Sequence, residues 1–277
     1  MASAPAQRLA SSSARWFPKE PLQGSFIQLE VSLVAPDSTV KVQGELAGEP
    51  LHFMPAGLAI LRALAGIPID AKETVTVPLV IERAGSPAER LTIEIPVKPG
   101  KYSMEKLSVA PKFGKPPDPE TAARIKAESE RALEVSRRSH ETKQLWHGAF
   151  VNPRPGRVTS GFGDGREFNG VIQSRHMGVD FPGAEGSPVR SPNRGVVALV
   201  DDFYLGGNVV YIDHGAGLVT GYLHLSRTDV ATGDRIERGQ IIGRVGATGR
   251  VTGPHLHWLA RYGRVTLNPM TLLGVRS

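Results

Sequence analysis

Cysteine is absent from all 277 residues. That excludes disulfide staples, thiol nucleophiles and thiolate ligands, so any bound metal must be held by histidine and carboxylate side chains. Export stays open, since an exported protein need not carry disulfides. No run approaches the roughly 18 apolar residues of a spanning helix; the best candidate, 58–69, is interrupted by Arg62. Residues 1–15 are rich in Ala and Ser but lack the apolar h-region of a signal peptide. Aromatic residues make up only 6%, and neither an aromatic-interleaved RNA motif nor a helix-turn-helix pattern accompanies the basic residues. A net charge of +6 and a pI near 9.7 therefore favour encounter with polyanions in general, and no nucleic-acid partner is expected.

What is present points to a globular, mainly β protein of two domains. The 31 glycines and 22 prolines supply many turns, and the length suits two cores rather than one. Residues 1–23 are expected to be a flexible N-terminus, 24–112 a β-sandwich domain, 113–148 a linker and helix, and 149–277 the domain that carries the chemistry. In 26–34, Ile27, Leu29, Val31 and Leu33 alternate with Gln28, Glu30 and Ser32, the pattern of a half-buried strand closed by Pro36 and Asp37. Further strands are expected at 40–46, 74–81, 91–97 and 103–109, a regular spacing that suits a small immunoglobulin-like sandwich. Asp118 reads as a helix N-cap with Pro119 at the first position. The helix should run to about 145, with Ile125 and Leu133 as anchors of a sparse apolar stripe. Strands at 195–200, 208–212, 218–222, 240–245 and 255–260 make the last part an antiparallel β domain.

Two short segments carry the chemistry, Arg175-His-Met-Gly-Val-Asp180 and Gly253-Pro-His-Leu-His257. In a strand His255 and His257 project to one side while Leu256 and Trp258 project to the other, so both imidazoles can enter one cavity. His176 and Asp180, four apart, share a face in a strand as in a helix; Gly178, Pro182 and Gly183 favour the strand. Three ligands of the His/Asp/His type leave a fourth tetrahedral position open for water, as at a catalytic zinc. Chain order suggests His176, Asp180 and His257 as the ligands, with His255 beside the metal.

Other motifs are set aside. His140-Glu-Thr-Lys-Gln144 starts like the His-Glu-x-x-His zinc-binding helix, but Gln144 stands where the second ligand is needed. Gly161-Phe-Gly-Asp-Gly165 lacks the glycine spacing of a phosphate loop and reads as a cleft wall or turn. Ser226 has no nucleophile elbow around it. His52, His140 and His147 read as surface or packed residues, and His214 as a hydrogen-bonded turn residue.

Together with Ser160-Gly-Phe-Gly163, Tyr211-Ile-Asp-His-Gly215 and Gly221-Tyr-Leu-His-Leu-Ser226, the two segments resemble the lysostaphin-type zinc metallopeptidases, peptidoglycan endopeptidases of bacterial envelopes. The resemblance runs from about Thr159 to Leu273. It implies a lysostaphin-like antiparallel domain of the duplicated hybrid motif class, Zn²⁺ held by His176, Asp180 and His257, and His224 and His255 as non-ligand catalytic residues. It further implies hydrolysis of stem or bridge peptide cross-links of peptidoglycan through a zinc-bound water, and export to the periplasm, envelope or medium, with no leader visible in this chain. A monomer is expected. The sandwich resembles the extension that precedes the catalytic domain in some exported members. A wall-binding or regulatory module that keeps the fold but cleaves nothing is the alternative.

Overall fold

The alternation in 26–34 does make a strand, and its neighbours decide how far it is buried. The computed structural model describes residues 11–34, 39–170 and 172–275, so the turn expected at Pro36 and Asp37 lies outside the described residues. Among the described residues, eight strands build the first part of the chain: β1 (Ser13–Phe17), β2 (Phe26–Ser32), β3 (Lys41–Leu46), β4 (Glu49–Pro50), β5 (Met54–Pro55), β6 (Ile60–Gly66), β7 (Thr74–Arg83) and β8 (Ser86–Pro96). They form two four-stranded antiparallel sheets, ordered β1-β2-β6-β5 and β4-β3-β7-β8. Ile27, Leu29 and Val31 share one core with Leu79 and Ile81 of β7 and Ile95 of β8.

Three expectations need correction here. Strand β1 forms within the span expected to be flexible, because it pairs in register with β2 and rests Ala14 and Trp16 against the core. The polar face of β2 is not wet: Gln28 and Glu30 are buried as deeply as the apolar face. Glu30 is clamped by Arg15 at 2.6 Å and Arg62 at 2.7 Å from the flanking strands. Beside it, Phe26 and Leu64 join a second core that includes Trp146 and Phe150. Finally, the strand expected at 103–109 forms as β9 (Met104–Leu107), outside the sandwich sheets: it pairs in parallel with β10 (Gly165–Phe168), which pairs with β11 (Ile172–Arg175).

Helix α1 (Pro119–Arg138) is capped as expected, the Asp118 carboxylate accepting from the Thr121 N–H at 2.7 Å. It ends at Arg138 rather than near 145. The Ser139 and Thr142 hydroxyls donate to the two oxygens of Asp213 at 2.5 and 2.7 Å, which draws the chain off the helical path. The docking face is also not the one expected. Glu128, Ala132 and Ser136 are buried, whereas Ile125 and Leu133 are only half-buried; Ala132 packs with Val209, Tyr211 and Val219, small size here allowing close approach.

The last part is the antiparallel β domain expected. It holds β12 (Val179–Pro182), β13 (Pro188–Arg190), β14 (Gly195–Phe203), β15 (Gly207–Gly215), β16 (Leu218–Thr228), β17 (Arg235–Ile236), β18 (Ile241–Val245), β19 (His255–Tyr262) and β20 (Val265–Leu267). These form a nine-stranded sheet whose main path is β12-β19-β16-β15-β14-β17. The two halves of the chain are stitched together: the Asn268 N–H donates to the Gly24 carbonyl at 2.7 Å, and the Phe26 N–H to the Thr271 hydroxyl at 3.0 Å.

Candidate metal centre

Three adjacent strands position the site. β12 and β19 pair with Asp180 directly opposite His257, and β16 and β19 pair with Leu223 opposite His257, so His224 comes next to the same spot. Within β19 the alternation holds: Leu256 and Trp258 are fully buried in the core, while His255 and His257 leave from the other face. His176 departs from expectation. Residues 176–178 interrupt the strand between β11 and β12, and His176 meets Asp180 across that bend rather than along one strand face. Gly178 makes the bend possible; a Cβ there would stand 2.5 Å from His257 Nε2 and 2.6 Å from the Trp258 carbonyl oxygen.

His176, Asp180 and His257 converge as a buried triangle. His176 Nε2 lies 3.0 Å from Asp180 Oδ1 and 2.9 Å from His257 Nδ1, and His257 Nδ1 lies 2.9 Å from the same carboxylate oxygen. His176 Nδ1–H donates to the Gly161 carbonyl at 2.7 Å, which leaves its Nε2 with only a lone pair. Burial alone would raise the Asp180 pKa, but the adjacent His176 and His257 rings outweigh it and hold the carboxyl far below the ordinary range. Burial lowers His257 to about 4 against the pull of Asp180. One proton can satisfy part of this cluster by hydrogen bonding, whereas a divalent cation satisfies all three atoms at once. Bonds of roughly 2.0–2.1 Å to tetrahedral zinc imply ligand edges of roughly 3.3 Å, so a shift of a few tenths of an ångström would admit the ion.

The free oxygen of Asp180 is not left to solvent. Arg166, on β10, donates to Asp180 Oδ2 at 2.6 Å and is itself held by Glu105 of β9 at 3.0 Å, with the Ser160 hydroxyl bonded to both. Asp180 is thereby fixed with Oδ1 inward. Sequence reasoning missed Arg166 and Glu105, which share no motif and are brought together only by the parallel pairing of β9 with β10.

His224 and His255 face the triangle. Each is fixed through its Nδ1–H, His224 to the Thr248 carbonyl and His255 to the Gly253 carbonyl, both at 2.8 Å, so each offers an Nε2 lone pair. Their rings are 4.8 Å apart, and His255 Nε2 stands 3.7 Å from Asp180 Oδ1. Burial first, then the rings of His255 and His257, push the His224 pKa well below the ordinary imidazole value, so it is neutral. His224 has φ +63°, in the left-handed region that costs a non-glycine residue about 1 kcal/mol or more. It lies where Tyr222 and Leu225 pair with Val210 and Asn208, leaving two residues opposite one. That bulge turns the imidazole toward the centre. A cleft of about 350 Å³ opens beside the triangle, with Thr159, Arg166, Asp180, Arg250 and His255 among its walls.

Of the residues set aside, Gly161 borders the site through its bond to His176, whereas His140, His214 and Ser226 are elsewhere. His140 follows the helix and bonds to His52 at 2.8 Å and Glu49 at 3.0 Å. His214, at the end of β15, lies between the Arg194 carbonyl and Thr220, and the Ser226 hydroxyl donates to the Val245 carbonyl at 2.9 Å.

Residues 174–269 match the Peptidase family M23 model. A stretch of 118 residues is 42% identical to the peptidoglycan DD-endopeptidase ShyC of Vibrio cholerae, covering 42% of this chain and 27% of that protein. The peptidoglycan DD-endopeptidase ShyA of the same organism is 44% identical over 104 residues, 37% of this chain and 24% of that protein. The match thus spans about a quarter of these relatives. A crystal structure designated peptidase M23, from Pseudomonas aeruginosa, is similar over 92% of this chain and 96% of that one, with a TM-score of 0.71 and 26% identity.

Proposed function

We propose that this chain, whose residues 174–269 match the Peptidase family M23 model, is a zinc endopeptidase that hydrolyses peptide cross-links of bacterial peptidoglycan and acts in the cell envelope. The observation that carries this reading is the His176–Asp180–His257 triangle faced by two further histidines, His224 and His255, whose Nδ1–H groups are taken up by backbone carbonyls. The similarity to two peptidoglycan DD-endopeptidases supports the substrate class.

His176 Nε2, Asp180 Oδ1 and His257 Nδ1 would hold the ion. Zinc bound there supplies Lewis acidity, lowering the pKa of water toward roughly 7 and polarising the scissile carbonyl. The protein's own groups do the rest. With no glutamate at the usual general-base place, the Nε2 of His255 or His224 takes the proton of the attacking water. The protonated imidazole is then an N–H donor, placed to stabilise charge developing on the carbonyl oxygen and to return the proton to the leaving amine. The Thr248 and Gly253 carbonyls keep both rings in the tautomer this requires.

The test is incubation of the full, zinc-loaded chain with sacculi, with and without a chelator, followed by mass analysis of the released fragments. Peptide-bond hydrolysis that chelation abolishes and zinc restores is expected. Replacing His255 by Ala should abolish hydrolysis while zinc content stays near that of the parent, and replacing Asp180 by Ala should remove the zinc. A folded, fully metallated chain that binds sacculi and leaves every cross-link intact would overturn the reading in favour of a wall-binding module.

A further inference from the structure

Two guanidinium groups line the cleft, and only one is committed. Arg166 is taken up by Asp180 and Glu105. Arg250 has no carboxylate partner among the described residues; its Cζ instead lies 4.0 Å from the centre of the Phe168 ring. Both contacts that place it are firm. Phe168 is buried in a small cluster with Val109 and Phe113, and the Arg250 N–H donates to the Leu205 carbonyl at 2.9 Å. The preceding Gly249 has φ +77°, and a Cβ there would stand 2.5 Å from Gly207 N, so the loop that presents Arg250 is tightly seated.

A guanidinium over an aromatic ring can keep N–H groups in its own plane free for a bidentate carboxylate. Burial, then the like charge of Arg166, lower the Arg250 pKa to about 10, so the group is still charged at neutral pH. A half-buried cation without a counterion carries a desolvation penalty that an incoming anion offsets. The cleft is small, and His255 and Asp180 are on its walls with Arg250, so the anion must sit near the reacting amide. The residue that donates the carbonyl of a cross-link has spent its carboxyl group in that amide. A free carboxylate next to the bond therefore comes from the residue that donates the amine.

We propose that Arg250 binds a free carboxylate on the amine-donating residue of the scissile cross-link, making the site selective for cross-links that retain this carboxylate over those in which it is amidated or missing. This rests on the endopeptidase reading and adds its substrate preference. The test compares kcat/KM of the full zinc-loaded chain on matched synthetic cross-linked peptides bearing a carboxylate, a carboxamide or hydrogen at that position. A charge-assisted pair predicts a preference of about 10- to 100-fold for the carboxylate, carried mainly by KM. In R250Q the ratio between the carboxylate and carboxamide peptides should collapse toward one, and R250K should restore part of it. Equal losses on all three peptides would mark a packing role on Phe168 and overturn the proposal, as would an unaltered ratio. If the parent chain cleaves none of the three but digests sacculi, the carboxylate preference fails alone; if it digests neither, the endopeptidase reading falls with it.

Discussion

Asp180 has both oxygens engaged, one by the imidazoles and one by Arg166, which makes Arg166 a positioning residue for the proposed metal centre. Its removal should free the carboxylate to rotate and leave Glu105 with the Ser160 hydroxyl but without its cation. Loss of such an outer contact typically weakens metal affinity by about 10- to 100-fold. R166A should show that loss in zinc competition against a chromophoric chelator, with R166K recovering part; an unchanged affinity would refute the role. At this scale the sequence was informative wherever the candidate ligands sat in short motifs. His176, Asp180, His255 and His257 lie in two segments of six and five residues, and the structure brings all four together with His224. Arg166, Glu105 and Arg250 could not be singled out in that way. Arginine and glutamate are common on any surface, and nothing local reports that β9 and β10 will pair.

Between β12 and β19 there is no room for a side chain at Gly178, since the nearest atoms to an added Cβ include the Trp258 backbone carbonyl as well as His257. In G178A the two strands would have to separate, at a cost of about 1–3 kcal/mol for such overpacking, and His257 would move off Asp180. The expected result is a lower melting temperature together with zinc well below one ion per chain by metal analysis. Full zinc occupancy would show that the strands yield at no cost to the centre. The strands with clean alternation, β2, β7 and β19, were readable because one face carries apolar residues and the other mostly polar ones, so period two follows whatever the burial. Strand β6 was hidden because both its faces are covered: Ala63 and Ala65 face the sandwich core while Leu64 joins the other, leaving Arg62 as a lone polar position that cannot reveal the period. The end of α1 was unreadable for another reason. Its stop is set by Asp213, some seventy residues downstream, and not by a glycine or proline.

For the whole molecule, buried neutral histidine gives the C-terminal half a different response to acid from the sandwich. His214 is fully buried, and burial lowers its pKa to about 4, outweighing the bond to the Arg194 carbonyl and the nearby Asp213. Its hydrogen bonds fit the neutral ring, Nδ1–H donating to Arg194 and Nε2 accepting from Thr220. In the unfolded chain it titrates near an ordinary value of roughly 6.5, so between about 6.5 and 4 the unfolded state binds the extra proton. Stability from this group is therefore present above about 6.5 and lost as pH falls toward 4. In the sandwich, Glu30 and Glu89 have lowered pKa values: burial opposes the shift, but bonds from Arg62 and Arg15 to Glu30, and from Ser12 and Arg83 to Glu89, outweigh it. Their contribution is present above the ordinary carboxylate range and lost only as pH falls through their lower folded values, a more acidic window than that of His214. The C-terminal half should therefore weaken first. Linkage gives about 2 kcal/mol for His214 between pH 7 and pH 5. Urea unfolding of the metal-free chain at both pH values should show that loss, and H214Q, though less stable at each pH, should lose about 2 kcal/mol less on going from one to the other. A pH dependence identical to that of the parent would mean that other buried groups in this half, not His214, take up the proton.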